Sequence, residues 1–173
     1  RDRKETSYAK QLVHGFVHKG KIHTLTQGYY TKYSEIGLSV LCFKPAYLGL
    51  QAALSYHGLW DQETIPVVIT SRSVRQGIRK SLNGGNILVR RTKQKYLFGF
   101  TFENDAGYYL PYSDIEKTFI DFFVFREKLS AELVENFREK ISRPKLEKYL
   151  VLYPKRIRVK VRNALNQEKN SKK

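Results

Sequence analysis

The side chains whose types and spacing could do chemistry are Asp114, Glu116 and Lys117, in the run Tyr112-Ser113-Asp114-Ile115-Glu116-Lys117-Thr118-Phe119-Ile120-Asp121. Two carboxylates beside a lysine can hold Mg²⁺ and activate water, which is metal-dependent nuclease chemistry, and Asp105 could supply another carboxylate. The spacing works against that use, because residues one or two apart at a helix start do not face each other. Glu116 also follows Ser113 by three positions, the spacing of a capping box, in which hydroxyl and carboxylate each satisfy an orphaned backbone N–H. A nuclease is therefore kept only as the enzyme alternative.

Other catalytic arrangements are missing. Gly84-Gly85 is not followed by Lys-Ser/Thr as a P-loop requires, and no Gly-x-Ser-x-Gly elbow occurs. Nor is there a Gly-Ser pair followed closely by two aspartates, the arrangement of a polymerase-like nucleotidyltransferase. His14, His18 and His23 have a spacing that could hold a metal, but no carboxylate lies between the first two as in His-Glu-x-x-His and a fourth ligand is not evident. The chain is accordingly read as a non-enzyme with no cofactor and no bound metal. Cys42 is the single cysteine, which rules out an intrachain disulfide and a cysteine-rich zinc site and leaves a small core residue.

Charge points to a partner. The 32 Lys and Arg against 16 Asp and Glu give a formal charge of +16 in 173 residues. Three segments carry the excess: positions 1–32, 72–95 and 155–173, of which 72–95 has no acidic residue at all. A near-neutral body with basic patches fits a polyanion such as nucleic acid. The 41% hydrophobic content is enough for a globular core. No apolar run approaches the roughly 18 to 20 residues a membrane span needs, and no signal-peptide core is present, so the expectation is a soluble, cytoplasmic protein without a membrane partner. The Arg1 start and the lack of any methionine lead to the expectation that the natural protein extends further at its N-terminus.

These residues must be positioned by regular elements. Ser7 to Lys19 predicts an amphipathic helix with Leu12, Phe16 and Tyr8 toward the core and Gly20 as its cap, followed by a hairpin of 21–25 and 29–32 around Gly28. Positions 36–43 are a nearly continuous apolar run that reads as helix or buried strand, and 48–57 reads as a helix ending at Gly58. Strands are predicted at 65–70, 87–91, 96–102 and 107–111, followed by a helix capped by Ser113. Ile115, Phe119, Phe122 and Phe123 form its apolar stripe, and Asp114, Lys117, Thr118 and Asp121 its solvated outer face. Further helices follow at Ser130–Ile141, at 146–153 and from Pro154 to about Leu165, before a polar tail at 167–173. The expected fold class is α+β: a mixed or antiparallel sheet of about four strands packed with several helices.

Ser113-Asp-Ile-Glu-Lys-Thr-Phe-Ile-Asp121 resembles the A-x-P-E-K-T-L-L-D signature of AbiEi-type antitoxins, DNA-binding partners of nucleotidyltransferase toxins in phage defence. A second block in the expected order, Pro45 to Leu59, resembles that family's P-x-Y-I-S-x-x-S-A-L-x-x-H-G-L helix, and Val67 to Ser71 its following strand. Val17 to Tyr30 resembles its wing. The pattern is imperfect, with Asp114-Ile115 before Glu-Lys-Thr and Gln51 in place of a small residue. The resemblance implies an incomplete winged-helix module at 1–33, an antitoxin domain at 34–166 and a basic flexible tail at 167–173. It implies a regulator that represses its own operon through double-stranded operator DNA and counters a nucleotidyltransferase toxin without a stable complex. On that basis Lys10, Gln11 and His14 would enter the groove, and Lys19, Lys21, Lys32, Arg72, Arg75, Arg79 and Lys80 would meet phosphates. An RNA-binding protein that stacks bases on its many tyrosines and phenylalanines is the other alternative.

Overall fold

A computed structural model describes residues 3–62 and 64–166 of the chain; the tail expected at 167–173 lies outside them. The architecture is α+β. After helix α1 (Arg3–His18) come the hairpin strands β1 (His23–Thr26) and β2 (Tyr29–Thr31), a 3-10 helix over Ile36–Phe43, strand β3 (Ala46–Leu48) and helix α2 (Gln51–Tyr56). Strands β4 (Val67–Thr70), β5 (Gly77–Lys80), β6 (Asn86–Arg91), β7 (Phe100–Asp105) and β8 (Tyr108–Ser113) follow, then helices α3 (Ile115–Phe125), α4 (Ala131–Lys140), α5 (Arg143–Leu150) and α6 (Lys155–Asn166).

The main sheet has six strands in the order β5-β6-β4-β3-β8-β7, with β4–β6 and β3–β8 parallel and the other pairs antiparallel. The mixed sheet expected from sequence is present with two more strands than the periodicity gives. β3 sits where the sequence predicts the approach to a helix, and β5 lies in what reads as an acid-free linker. β3 is three residues long and buried on both faces, so its pattern does not alternate, and β5, Gly77-Ile78-Arg79-Lys80, alternates in burial but carries one apolar side chain, so its residue types do not show a strand.

Strand alternation splits the core in two. Tyr47, Val67 and Ile69 point to one face and pack with Phe119, Phe122, Phe137, Leu146, Leu150 and Val161 of the C-terminal helices. Leu48, Val68, Val89 and Leu110 point to the other, against Leu38, Val40 and Phe43 of the 3-10 helix and Leu25 of the hairpin. Helix α1 departs from expectation: Leu12 (43% exposed), Phe16 (42%) and Tyr8 (64%) do not enter the core.

Cys42 belongs to the second core layer, where burial pushes its thiol up to about 11. The expected outcome with a thiol-reactive dye at pH 8 is no labelling of native protein and one equivalent after unfolding in guanidinium.

Candidate functional site

The cap of α3 lies one residue later than the sequence places it. Ser113 pairs with Phe100 as the last residue of β8, so the ladder holds its backbone extended. Asp114 becomes the N-cap and its Oδ1 accepts the Lys117 N–H at 2.8 Å. Ser113 turns inward, its hydroxyl 2.7 Å from that of Thr118. Glu116 does not close a capping box; its Oε1 accepts the N–H of Ser142 at 2.8 Å, tying α3 to the start of α5.

The larger correction concerns the face expected to be solvated. Lys117, Thr118 and Asp121 are buried, with Lys117 0% and Asp121 1% exposed. Helices on one side and the sheet on the other cover that face of α3, and the partial exposure that remains falls on Ile115 and on Phe123, Val124 and Phe125. Lys117 Nζ donates to Asp121 Oδ1, and Tyr47 Oη donates to Asp121 Oδ2 at 2.7 Å. The rings of Tyr47, Phe98 and Tyr153 stand 5.2, 5.6 and 6.0 Å from the ammonium. Gly99 closes this chamber at φ +67, and a Cβ there would lie 3.0 Å from Lys117 Cβ.

Burial pushes the Lys117 ammonium down and the Asp121 carboxyl up, while their mutual attraction opposes both shifts. The arrangement is a desolvated ion pair with aromatic walls. The nuclease alternative loses its geometry here: Lys117 is sealed from solvent, Glu116 is 4% exposed and held by Ser142, and Asp114 is occupied by the cap, by Tyr149 Oη at 2.7 Å and by Lys145 Nζ at 3.0 Å. Lys145 also reaches Glu116 Oε2 at 3.0 Å. Partial burial works against its ammonium, yet the two carboxylates outweigh it and hold its pKa above the ordinary lysine value.

The residues predicted to meet nucleic acid are placed differently. Lys10, Gln11, His14, Lys19, Lys21, Lys32, Arg72, Arg75 and Lys80 are exposed and Arg79 is partly so. None of the eight lysines and arginines in that set is ion-paired with a carboxylate among the described residues. Arg72 Nη1 donates to the carbonyl of Cys42 at 3.0 Å, and Arg79 stacks 5.7 Å from the centre of the Phe43 ring, so these two are oriented by the body. Ser81, next to Lys80 at the end of β5, donates from Oγ to the Leu25 carbonyl of β1 at 2.7 Å. The hairpin is thereby docked beside the basic β5 edge. Sequence reasoning missed this junction because nothing in Ser81 or Leu25 marks a contact 56 residues apart.

No family model matches the chain, and no curated protein shows significant similarity to it.

Two outcomes test the ion-pair chamber. Lys117→Met should cost about 3–5 kcal/mol in urea unfolding because it strands a buried carboxylate, whereas Lys117→Met with Asp121→Leu should recover most of that loss. Burial and the hydrogen bond to Asp114 raise the Tyr149 hydroxyl to about 12, so the stability it contributes is full below pH 10, its unfolded value, and is lost as pH climbs through about 12. Urea unfolding followed from pH 9 to 12 should show stability falling across that window, and Tyr149→Phe, which loses the hydrogen bond to Asp114, should be less stable at pH 7 and show a shallower fall.

Proposed function

We propose that this protein is a DNA-binding regulator of the antitoxin type, contacting duplex DNA through the hairpin, α1 and the β5 edge. The observation that carries the reading is the union of two unpaired basic segments, 10–32 and 72–80, at the Ser81–Leu25 hydrogen bond. In a compact domain, cations without carboxylate partners and facing solvent are free to displace the counterions of a polyanion. Helix followed by basic hairpin is also the order of the last third of a winged helix, in which the helix reads a groove and the wing holds phosphates. On this reading Lys10, Gln11 and His14 lie against the groove, and Lys19, Lys21, Lys32, Arg72, Arg75, Arg79 and Lys80 meet the backbone. Repression of its own operon and opposition to a nucleotidyltransferase toxin, without a stable complex, complete the proposal on the strength of the sequence resemblance.

A second reading has its own support. Tyr29, Tyr30 and Tyr33 of the hairpin region are 46%, 45% and 44% exposed, and Lys32 Nζ lies 5.2 Å from the Tyr33 ring centre. Exposed rings interleaved with cations suit stacking of unpaired bases in RNA.

Fluorescence anisotropy across a salt series separates the two. Duplex DNA should bind with log affinity falling steeply against log salt, and Lys19→Glu with Lys21→Glu should flatten that slope by about 2, roughly one unit for each phosphate no longer neutralised. An unchanged slope removes the hairpin from the interface. Tighter binding to single-stranded RNA, abolished in Tyr29→Ala with Tyr30→Ala, would favour the stacking reading.

A further inference from the structure

At the other edge of the main sheet the charge reverses. A cleft of about 440 Å³ opens between the start of the 3-10 helix, α2 and strands β7 and β8. Its apolar walls are Ile36, Leu48, Ala52, Trp60, Pro66 and the ring of Tyr112, which stacks on Tyr56 at 4.3 Å and 11°. Three carboxylates line it: Glu35, Asp61 and Asp105. Glu103 stands behind, 3.5 Å from the Tyr56 hydroxyl.

None of these four acids is ion-paired among the described residues, in a chain that holds 32 Lys and Arg against 16 Asp and Glu. Asp114, Glu116, Asp121, Glu127, Glu135 and Glu147 have cationic partners, while Glu132 and Glu139, without one among the described residues, stand exposed and apart on α4. Glu35 and Asp105 each commit one oxygen inward, Oε1 to the Gly37 N–H at 2.8 Å and Oδ2 to the Tyr112 hydroxyl at 2.5 Å. Gly37 allows that approach, since a Cβ there would stand 3.2 Å from Glu35 Oε1 and 2.9 Å from Leu110 Cδ1. Their second oxygens, and both of Asp61, have no protein partner among the described residues. Burial and Asp105 push the Tyr112 hydroxyl well above its ordinary value, so it stays a neutral donor that fixes the carboxylate.

We propose that this cleft binds a small aliphatic polyamine, its ammonium groups meeting Glu35, Asp61 and Asp105 and its methylene chain lying on Tyr56, Trp60 and Tyr112. Aromatic faces and unpaired carboxylates together attract an organic cation. A bare metal ion fits less well: among the described residues no three acidic or imidazole groups converge closely enough to hold one, and the apolar walls offer it nothing. The distant positive charge does not prevent entry, because fields from exposed groups fade over about 8 Å at physiological ionic strength. This assignment is independent of the DNA-binding reading.

Trp60 is the single tryptophan and lines the cleft, so a change in its emission on titration follows occupancy there. Titrating the chain with spermidine at 0.15 M ionic strength should give a saturable emission change. Asp61→Asn, an exposed position with no hydrogen bond to lose, should weaken the apparent Kd by about threefold, and Asp61→Asn with Glu35→Gln by about tenfold. MgCl₂ at matched ionic strength should not reproduce the response. No spectral change, an unaltered Kd in both variants, or an equal response to Mg²⁺ would overturn the assignment. Tighter binding of a short lysine-containing peptide than of spermidine would also overturn it, assigning the cleft to a protein segment instead.

Discussion

The structure turns on the ion pair of Lys117 and Asp121 inside α3. Taking two charges out of water costs several kcal/mol per ion, so such a pair depends on the groups that surround it to offset that cost. Tyr47 Oη supplies the second carboxylate contact, and three aromatic rings surround the ammonium. Because Tyr47 belongs to the central strand β3, the pair fixes how α3 lies on the sheet. Gly99, at the entrance to β7, leaves room for the lysine stem, and its carbonyl accepts the Asp114 N–H at 2.9 Å. Asp114 then starts α3 and, through Tyr149 and Lys145, anchors α5. One buried charge pair and its supports thus link a strand, a loop and two helices.

Around that fixed centre, the sheet sorts charge toward its two edges. β5, at one end, carries Arg79 and Lys80 with the docked hairpin beside it, while β7, at the other, carries Glu103 and Asp105 next to the acidic cleft. Separation of this kind leaves cations and anions without partners on opposite sides of the sheet, where mixing would have neutralised them. Unpaired surface charge contributes little to folding. It is available for ligands, and the two edges offer chemistry to opposite kinds.

Much of the architecture could be read from the chain. The hairpin at 23–31, the helix from Ser130, the helix after Pro154 and the strands β4, β6 and β8 follow from periodicity, turn residues and caps, because those signals are local, whereas β7 begins at Phe100, after a 3-10 turn at Gln94–Tyr96, and not at 96 as predicted. Strand β3 was hidden since a three-residue buried strand before a helix has no pattern of its own. The start of α3 was ambiguous by one residue, as Ser113 and Asp114 are both good N-caps and only the β7–β8 register decides between them. Leu12 and Phe16 of α1 have helical spacing, but spacing identifies a face without saying whether anything covers it.

By itself the sequence determined the charge excess, its concentration in segments, the single cysteine and the α+β class, all of which depend on residue type and short-range spacing. Tertiary structure alone decided that Lys117 and Asp121 are interior, that Glu116 serves Ser142, that the hairpin meets the end of β5, and that Glu35, Asp61 and Asp105 share a cleft. Burial depends on what packs over a face, and these partners lie as far as 74 residues away, as with Tyr47 and Asp121 (74 apart) or Glu116 and Ser142 (26 apart). A polar helix face facing water and one closed around an ion pair have the same local sequence.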